Sequence, residues 1–350
     1  AGPSWPTAQA SSLTKNGAGT MTLNAQNSYT GGTTVNGGTL VLNDTWNGAA
    51  AGYPGIGVVR GSLTINSGAT VVINSSGNGE AGGALGWSGT SQVTNLVING
   101  GLLDAYNTTA DGRQHIWNIA GGINLTGGKM QINSGVSSTT AAKYWEWNGT
   151  AVNSYASADS SEIAGRIRIR ADGGYTGITF TVADGAATND LILSAAVTEN
   201  SGGMGITKAG AGTMLLSGTN IYTGATTVSG GTLRAGTTSA FGNNSAVTIG
   251  NAAGATLDLN GFSNTIGSLA GGGAAGGEVK LGSGTLTFGG LNSTLTYAGT
   301  ITGTGNLIKN GTGVQTLTGA STFSGGTRVN AGSISIGHNT ALGTGAVNLA

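Results

Sequence analysis

One 30-residue phrase is written three times in this chain. It reads LTKNGAGTMTLNAQNSYTGGTTVNGGTLVL over residues 13–42 and ITKAGAGTMLLSGTNIYTGATTVSGGTLRA over 206–235. It returns as LIKNGTGVQTLTGASTFSGGTRVNAGSISI over 307–336. Within it the apolar period is two: Met21 and Leu23 alternate with Thr20 and Thr22, and Thr34 separates Thr33 from Val35. Each run is three to five residues long and closes on glycine. Short strands between glycine corners, repeated at intervals, predict a solenoid, because one coil cannot bury its own apolar side alone.

Composition supports order over disorder. Of 350 residues, 69 are glycine and only 7% are charged, but 38% are apolar, more than a disordered chain carries. Three prolines and no strict third-residue glycine exclude collagen. Thirteen basic residues balance 13 acidic ones, so no basic stripe invites nucleic acid. No apolar run approaches the roughly 20 residues of a membrane-spanning helix. Cysteine is absent, which excludes disulfides and thiolate metal sites and suits export in the unfolded state. A start at Ala1 reads as a mature or trimmed product.

Equivalent positions show what the repeat requires. The first corner is a Gly-x-Gly: Gly17 and Gly19 in the first copy, Gly210 and Gly212 in the second, Gly311 and Gly313 in the third. Corner glycines are expected because they tolerate the left-handed backbone that a tight bend requires. Tyr29, Tyr222 and Phe323 precede the second corner, and Val35, Val228 and Val329 follow on the next strand. The aromatic is expected to pack at a corner and the aliphatics to stack inside. Lys15, Lys208 and Lys309, just before the first corner, are expected at a solvated edge.

Along the chain, residues 1–12 read as a cap or docking arm with Pro3 and Pro6, and 13–42 as the first repeat. Residues 43–201 read as a divergent β-helical region, and 202–350 as regular β-helix holding the other two repeats, all in one solenoid. The final ALGTGAVNLA restarts the earlier SAFGNNSAVTIG phrase and stops within it. The divergent region holds Trp46, Trp87, Trp117, Trp145 and Trp147. Its stretch 138–162 is expected to be a loop or side-excursion.

The pattern K-x-G-x-G-T-(L/M)-x-L-(S/N)-G-x-N-x-Y-T-G-x-T-x-V-x-x-G-T-L runs through 15–40 and 208–233. It resembles the autotransporter-associated β-strand repeat, the passenger-associated transport repeat of bacterial surface proteins. The third copy departs mildly at Val314, Phe323, Arg328 and Ser333. The resemblance implies a right-handed parallel β-helix, secreted or displayed on a bacterial surface. In such autotransporters an outer-membrane barrel follows the passenger; the series of long, aromatic-girdled strands that marks a barrel is not seen in these residues.

Parallel β-helices also include polysaccharide-cleaving enzymes, whose carboxylates converge in a groove. Asp104, Asp111, Glu146, Asp159, Glu162, Asp172 and Asp184 show no diagnostic spacing, and His115 and His338 lie in different units. No nucleophile elbow, zinc-protease helix, phosphate loop or calcium nonapeptide occurs. No catalytic residue, cofactor or metal is therefore expected. The candidate binding surface is Tyr144, Trp145 and Trp147 with Arg166, Arg168 and Arg170. The aromatics offer flat faces to sugars or proteins, or else plug the solenoid. The arginines alternate with Ile167 and Ile169, which places three cations outside and two isoleucines inside. Their expected partners are Asp159, Glu162 or Asp172, or an anionic glycan.

The expected fold is thus an all-β rod of 14–17 coils, about 70–80 Å long at about 4.8 Å per coil. The expected role is structural: an extracellular stalk, fibre or matrix subunit joined head to tail with itself. The alternatives are an adhesin that binds a surface glycan or protein through the Trp-rich region, and a polysaccharide lyase or hydrolase.

Overall fold

Val, Ile and Thr favour extended backbone because their branched side chains fit the pleat. In the computed structural model, residues 9–44, 57–75, 84–86, 92–107, 113–117, 119–132 and 144–350 are described. Their strands form parallel sheets of 14 and 12 strands and two shorter ones of four and five. The chain visits the faces in rotation. Val93–Asn99, Leu102–Asn107 and Arg113–Trp117 belong to the 14-, 12- and four-stranded sheets in turn. Ile123–Thr126, Lys129–Ile132 and Tyr144–Asn148 repeat that order one coil later. Neighbours in every sheet therefore come from successive coils, which is a parallel β-helix of three faces. The 14 strands of the longest sheet make a ladder about 60 Å long at about 4.8 Å per strand. Among the described residues the only helical turn is the three-residue 3-10 turn Asp172–Gly174.

Coil length varies while register holds. The Asn36 side chain bonds Asn16 20 residues back, Asn66 bonds Asn36 across 30, and Asn99 bonds Asn66 across 33. The amide ladder keeps this corner aligned across coils of different length. Inside, like stacks on like: Met214, Leu233, Leu257, Val279 and Ile301 stand in register on consecutive strands, all buried. Each such side chain contributes about 1.5–3 kcal/mol.

Residues 138–162 do not form the expected loop throughout. Tyr144–Asn148, Val152–Ser154 and Ser161–Ile163 supply strands to three different sheets. The reason is period two again, written with bulky residues: Trp145 and Trp147 pair in register with Ile167 and Ile169 in the core. Residues 1–8, Trp46, Trp87, Asp111 and Lys143, and the side chains of His115, Trp117 and Asp172, lie outside the described residues.

The three copies do not all face the same way. The first strands of copies one and two, Leu13–Lys15 and Gly205–Ala209, lie in the 14-stranded sheet, seven strands apart. The corresponding strand of copy three, Leu307–Lys309, lies in the five-stranded sheet, and its successor Val314–Leu317 takes the place in the 14-stranded one. The interval of 193 residues between the first two copies is seven whole turns, and the 101 residues to the third are four and two-thirds. The third copy is displaced by one face about the axis.

Val228 is wholly buried between Lys208 and Ile249 on neighbouring strands. Val228→Asp places an unpaired charge in that column and is expected to cost more than about 3 kcal/mol. Chemical denaturation followed by far-UV circular dichroism, with a β-rich and helix-poor baseline, measures it.

Candidate functional site

The repeat's first corner is built around a buried ammonium. Lys15, Lys208 and Lys309 are 6%, 0% and 1% exposed, so the expected solvated edge is corrected. Lys208 Nζ donates to the carbonyls of Ala209 at 3.0 Å, Gly210 at 2.8 Å and Gly230 at 3.0 Å. Lys15 makes the same three bonds to Asn16, Gly17 and Gly37, and Lys309 to Asn310, Gly311 and Ala331. In each case two carbonyls belong to the lysine's own corner and the third to the next coil. Backbone that turns a corner leaves carbonyls without ladder partners, and a buried carbonyl left bare is costly. A flexible four-carbon stem with three donors satisfies three at once. Burial pulls the Lys208 ammonium down to about 8, opposed by the charge of Asp190. Asp190 itself accepts backbone N–H bonds from Gly185 and Thr213, both at 2.7 Å.

The two glycines of this corner have different backbone roles. The first is left-handed in every copy: Gly17, Gly210 and Gly311 have φ of +74°, +79° and +68°. The second is not. Gly19, Gly212 and Gly313 lack a positive φ, so the left-handed expectation is corrected at these three positions. Their physical reason is close approach instead. A Cβ on Gly212 would strike the Ala183 carbonyl of the coil below, and one on Gly313 the Ser293 carbonyl. A Cβ on Gly19 would meet open space, and there the crowding comes from above, where Gly38 packs on the Gly19 carbonyl.

At the second corner Tyr222 is wholly buried. Its hydroxyl meets Thr226 Oγ1 at 2.7 Å, Thr226 Oγ1 meets Ser245 Oγ at 2.9 Å, and Ser245 donates to the Gly224 carbonyl at 2.6 Å. Each hydroxyl has one proton, so the Tyr222 proton goes to Thr226. Burial drives the Tyr222 phenol well above the ordinary tyrosine range, partly opposed by that bond. Tyr29 and Thr33 repeat the contact at 2.8 Å. In the third copy Phe323 has no hydroxyl, Ala346 stands where Ser245 stood, and buried Thr327 Oγ1 has no hydrogen-bond partner. The spacing of four from aromatic to threonine, present in all three copies, is the available signal for this contact.

The Trp-rich strand presents no aromatic platform. Trp145 and Trp147 are fully buried and Tyr144 is 7% exposed. Trp145 Nε1 donates to the Ala164 carbonyl at 3.3 Å. Beside them the carboxylate of Glu146 is buried and accepts from Arg168 through Nε at 2.9 Å and through Nη2. Arg170 Nη1 reaches the same oxygen at 3.0 Å. Arg168 also lies 4.3 Å from the Tyr144 ring centroid, a cation–π contact. The isoleucines of the Arg166–Ile169 strand point inward as expected. Arg168 and Arg170 share Glu146, an acid outside the expected set of Asp159, Glu162 and Asp172, and Arg166 is half-buried at the strand's start.

Several other carboxylates are engaged structurally, whereas Asp104 Oδ1 is buried without a hydrogen-bond partner. Glu162 meets Lys129 at 2.9 Å and accepts from Ser194 at 2.6 Å. Burial raises its pKa, but those two partners outweigh burial and hold it below the ordinary value. Asp258 meets Arg234 at 2.9 Å, and Glu199 accepts the backbone N–H groups of Met204 and Thr223. His338 is exposed, and its ring nitrogen Nδ1 bonds Thr340 two residues on. No helix among the described residues is long and apolar enough to cross a membrane.

These corners are what the comparison with known families detects. The passenger-associated-transport-repeat profile matches residues 13–42, 206–235 and 307–336. The chain carries three passenger-associated transport repeats. A stretch of 57 residues is 53% identical to the Adhesin BmaC autotransporter of Brucella suis biovar 1 (strain 1330). That stretch is 16% of this chain and 2% of the adhesin, so the chain spans a small part of that relative's length. No solved structure matches.

Phe323→Tyr is expected to stabilise the chain by about 1 kcal/mol, because it gives Thr327 the partner that Tyr222 gives Thr226. A raised urea midpoint with unchanged slope records it. Lys208→Met strips the donor from three carbonyls and is expected to cost about 2–4 kcal/mol. Between pH 8 and 10.5 the unfolded chain holds a proton on Lys208 that the folded chain has released, so folded stability rises with pH there. The advantage of the native chain over Lys208→Met is therefore expected to be flat below pH 8 and to grow by about 2–3 kcal/mol toward pH 10. Paired melts across that range test the sign.

Proposed function

We propose that the chain is a rod-forming section of an exported passenger, displayed on or released from a bacterial surface, with a mechanical role as stalk, fibre or matrix subunit. The observation that carries this is the ladder itself: one 14-stranded parallel sheet from Leu13–Lys15 to Ser333–Ile336. The lysine and the valine, identical in all three copies, are buried in the solenoid. The three transport repeats and the absence of cysteine support export. In this reading the chain is not an enzyme, with Glu146, Glu162 and Asp258 paired to cations and Asp190 and Glu199 holding backbone. Copies join end to end, since any uncovered coil offers a pairing edge. A second reading, adhesion, is favoured by the similarity to an autotransporter adhesin.

Protease shaving of intact cells, followed by electron microscopy and sedimentation of the native protein, tests the proposal. Surface-accessible rods that lengthen into filaments are expected. A protein resistant to shaving and retained inside the cell removes the display reading. Monodisperse monomers at high concentration remove the polymer. Turnover of a polysaccharide, abolished by one acid substitution, removes the mechanical assignment.

A further inference from the structure

The second face of the rod, the 12-stranded sheet, carries a self-complementary column. Lys129, Glu162, Ile192, Leu215, Arg234 and Asp258 stand in register on consecutive strands of that sheet. All six are half-buried on its outer side, while residues beside them such as Ile163, Met214 and Leu233 fill the core. The column reads plus, minus, apolar, apolar, plus, minus. Turned end for end it reads minus, plus, apolar, apolar, minus, plus, so every position meets its complement.

Within one rod these charges pair along the column, Lys129 with Glu162 and Arg234 with Asp258, both at 2.9 Å. Their side chains keep 13% to 41% of their surface in solvent, so each remains open to a second partner. The flanks of the column are low. Thr213 and Thr232 run along one side, and Ala164, Ser194, Ser217 and Gly236 along the other. Such small side chains let a second sheet approach to the spacing of packed sheets, about 10 Å.

We infer that two copies of this chain pack side by side and antiparallel through this face, about a two-fold axis that runs along the strands between Ile192 and Leu215. Rotation about such an axis reverses the rod but keeps each residue's place along its strand, so column lies on column. The contact is isologous: Ile192 meets the partner's Leu215, Glu162 the partner's Arg234, and Lys129 the partner's Asp258. Asp104, Glu278 and Lys280 fall opposite Gly282, Gly100 and Leu102, so these charges meet no like charge. The result is an apolar centre within a rim of ion pairs, the anatomy of a specific interface. Parallel rods would instead set Glu162 on Glu162 and Arg234 on Arg234, which repel. Ten strands overlap, from the one holding Thr70 to the one holding Thr302. A face about 48 Å long and about 13 Å wide gives about 600 Å² per rod. The total of about 1,200 Å² lies at the lower limit of stable interfaces, so the pair is weak and concentration-dependent. It uses the long side of the rod and rests neither on surface display nor on end-to-end joining.

Sedimentation equilibrium of the whole purified chain, with electron microscopy of the same samples, tests the pairing. A dimer that loosens with salt is expected, seen as rods of doubled width. Glu162→Arg sets an arginine against the partner's Arg234, and Arg234→Glu sets a glutamate against the partner's Glu162. Each alone is expected to raise the dimer dissociation constant by at least about tenfold. The double variant carrying both changes keeps the net charge of the native chain and again opposes unlike charges. It is expected to dimerise within about threefold of native. Arg328→Glu, at an exposed position on another sheet, is expected to leave the dimer unchanged. Unaltered circular dichroism spectra show that the variants fold. The inference is overturned if the native chain stays monomeric at the highest concentration it will hold, or associates only into longer rods of single width. It is equally overturned if the single variants dimerise as the native chain does, or if the double variant stays monomeric. Failure of surface display would appear in the shaving experiment and leave these results standing.

Discussion

A parallel ladder makes one demand on every coil: the chain must return to its starting point one strand spacing further on. Everything else in this protein answers to that demand. Corners have to be tight, and tight corners turn carbonyls away from the N–H groups that would pair with them. The buried lysines of the three repeats resolve this by donating to two carbonyls of their own corner and one of the next. The burial of an ammonium is tolerated because each of its protons has an acceptor. Once corners close, side chains stack without further specification, and columns such as Met214, Leu233 and Leu257 follow from register alone.

Much of the fold is legible because its code is short. Period-two runs between glycines, as on either side of Gly17 and Gly210, have few three-dimensional readings, and recurrence picks the solenoid among them. Two glycines in one corner look alike in sequence, yet Gly210 is there for its φ and Gly212 for the carbonyl beneath it. The lysine misleads for an equally physical reason. A charged residue beside a glycine turn is usually solvated, and only the next coil reveals that Gly230 lies within reach of Lys208. The Trp-rich stretch misleads because bulk suggests an excursion. Yet Tyr144–Asn148 is a strand in register with its neighbours, and its tryptophans are buried in the core.

The pairing of Glu146 with Arg168 and Arg170 spans 22 and 24 residues. To foresee it one needs the local coil length, and that length ranges from 20 to 33 residues at the asparagine ladder. Excursions are invisible to periodicity, so across-coil partners in the divergent region cannot be counted out in advance. The same holds for the charged column of the second face. Glu162 and Arg234 are unremarkable in sequence and enter one column only when the coils stack. Repeats show what lies inside a solenoid more readily than what lies outside it, because interiors recur and exteriors are free to vary.

The one-face displacement of the third repeat carries its own lesson. A part that reappears at a different compass bearing cannot be a label meant to be read from one side. Anything travelling along the rod would meet the first two copies head on and find the third turned away. The phrase is better understood as a stair tread: what must be preserved is how it bears on the tread beneath, not which way it looks. A rod assembled from such treads can be lengthened by thirds of a turn as well as by whole ones, and growth by duplication need not wait for an insertion of the right length.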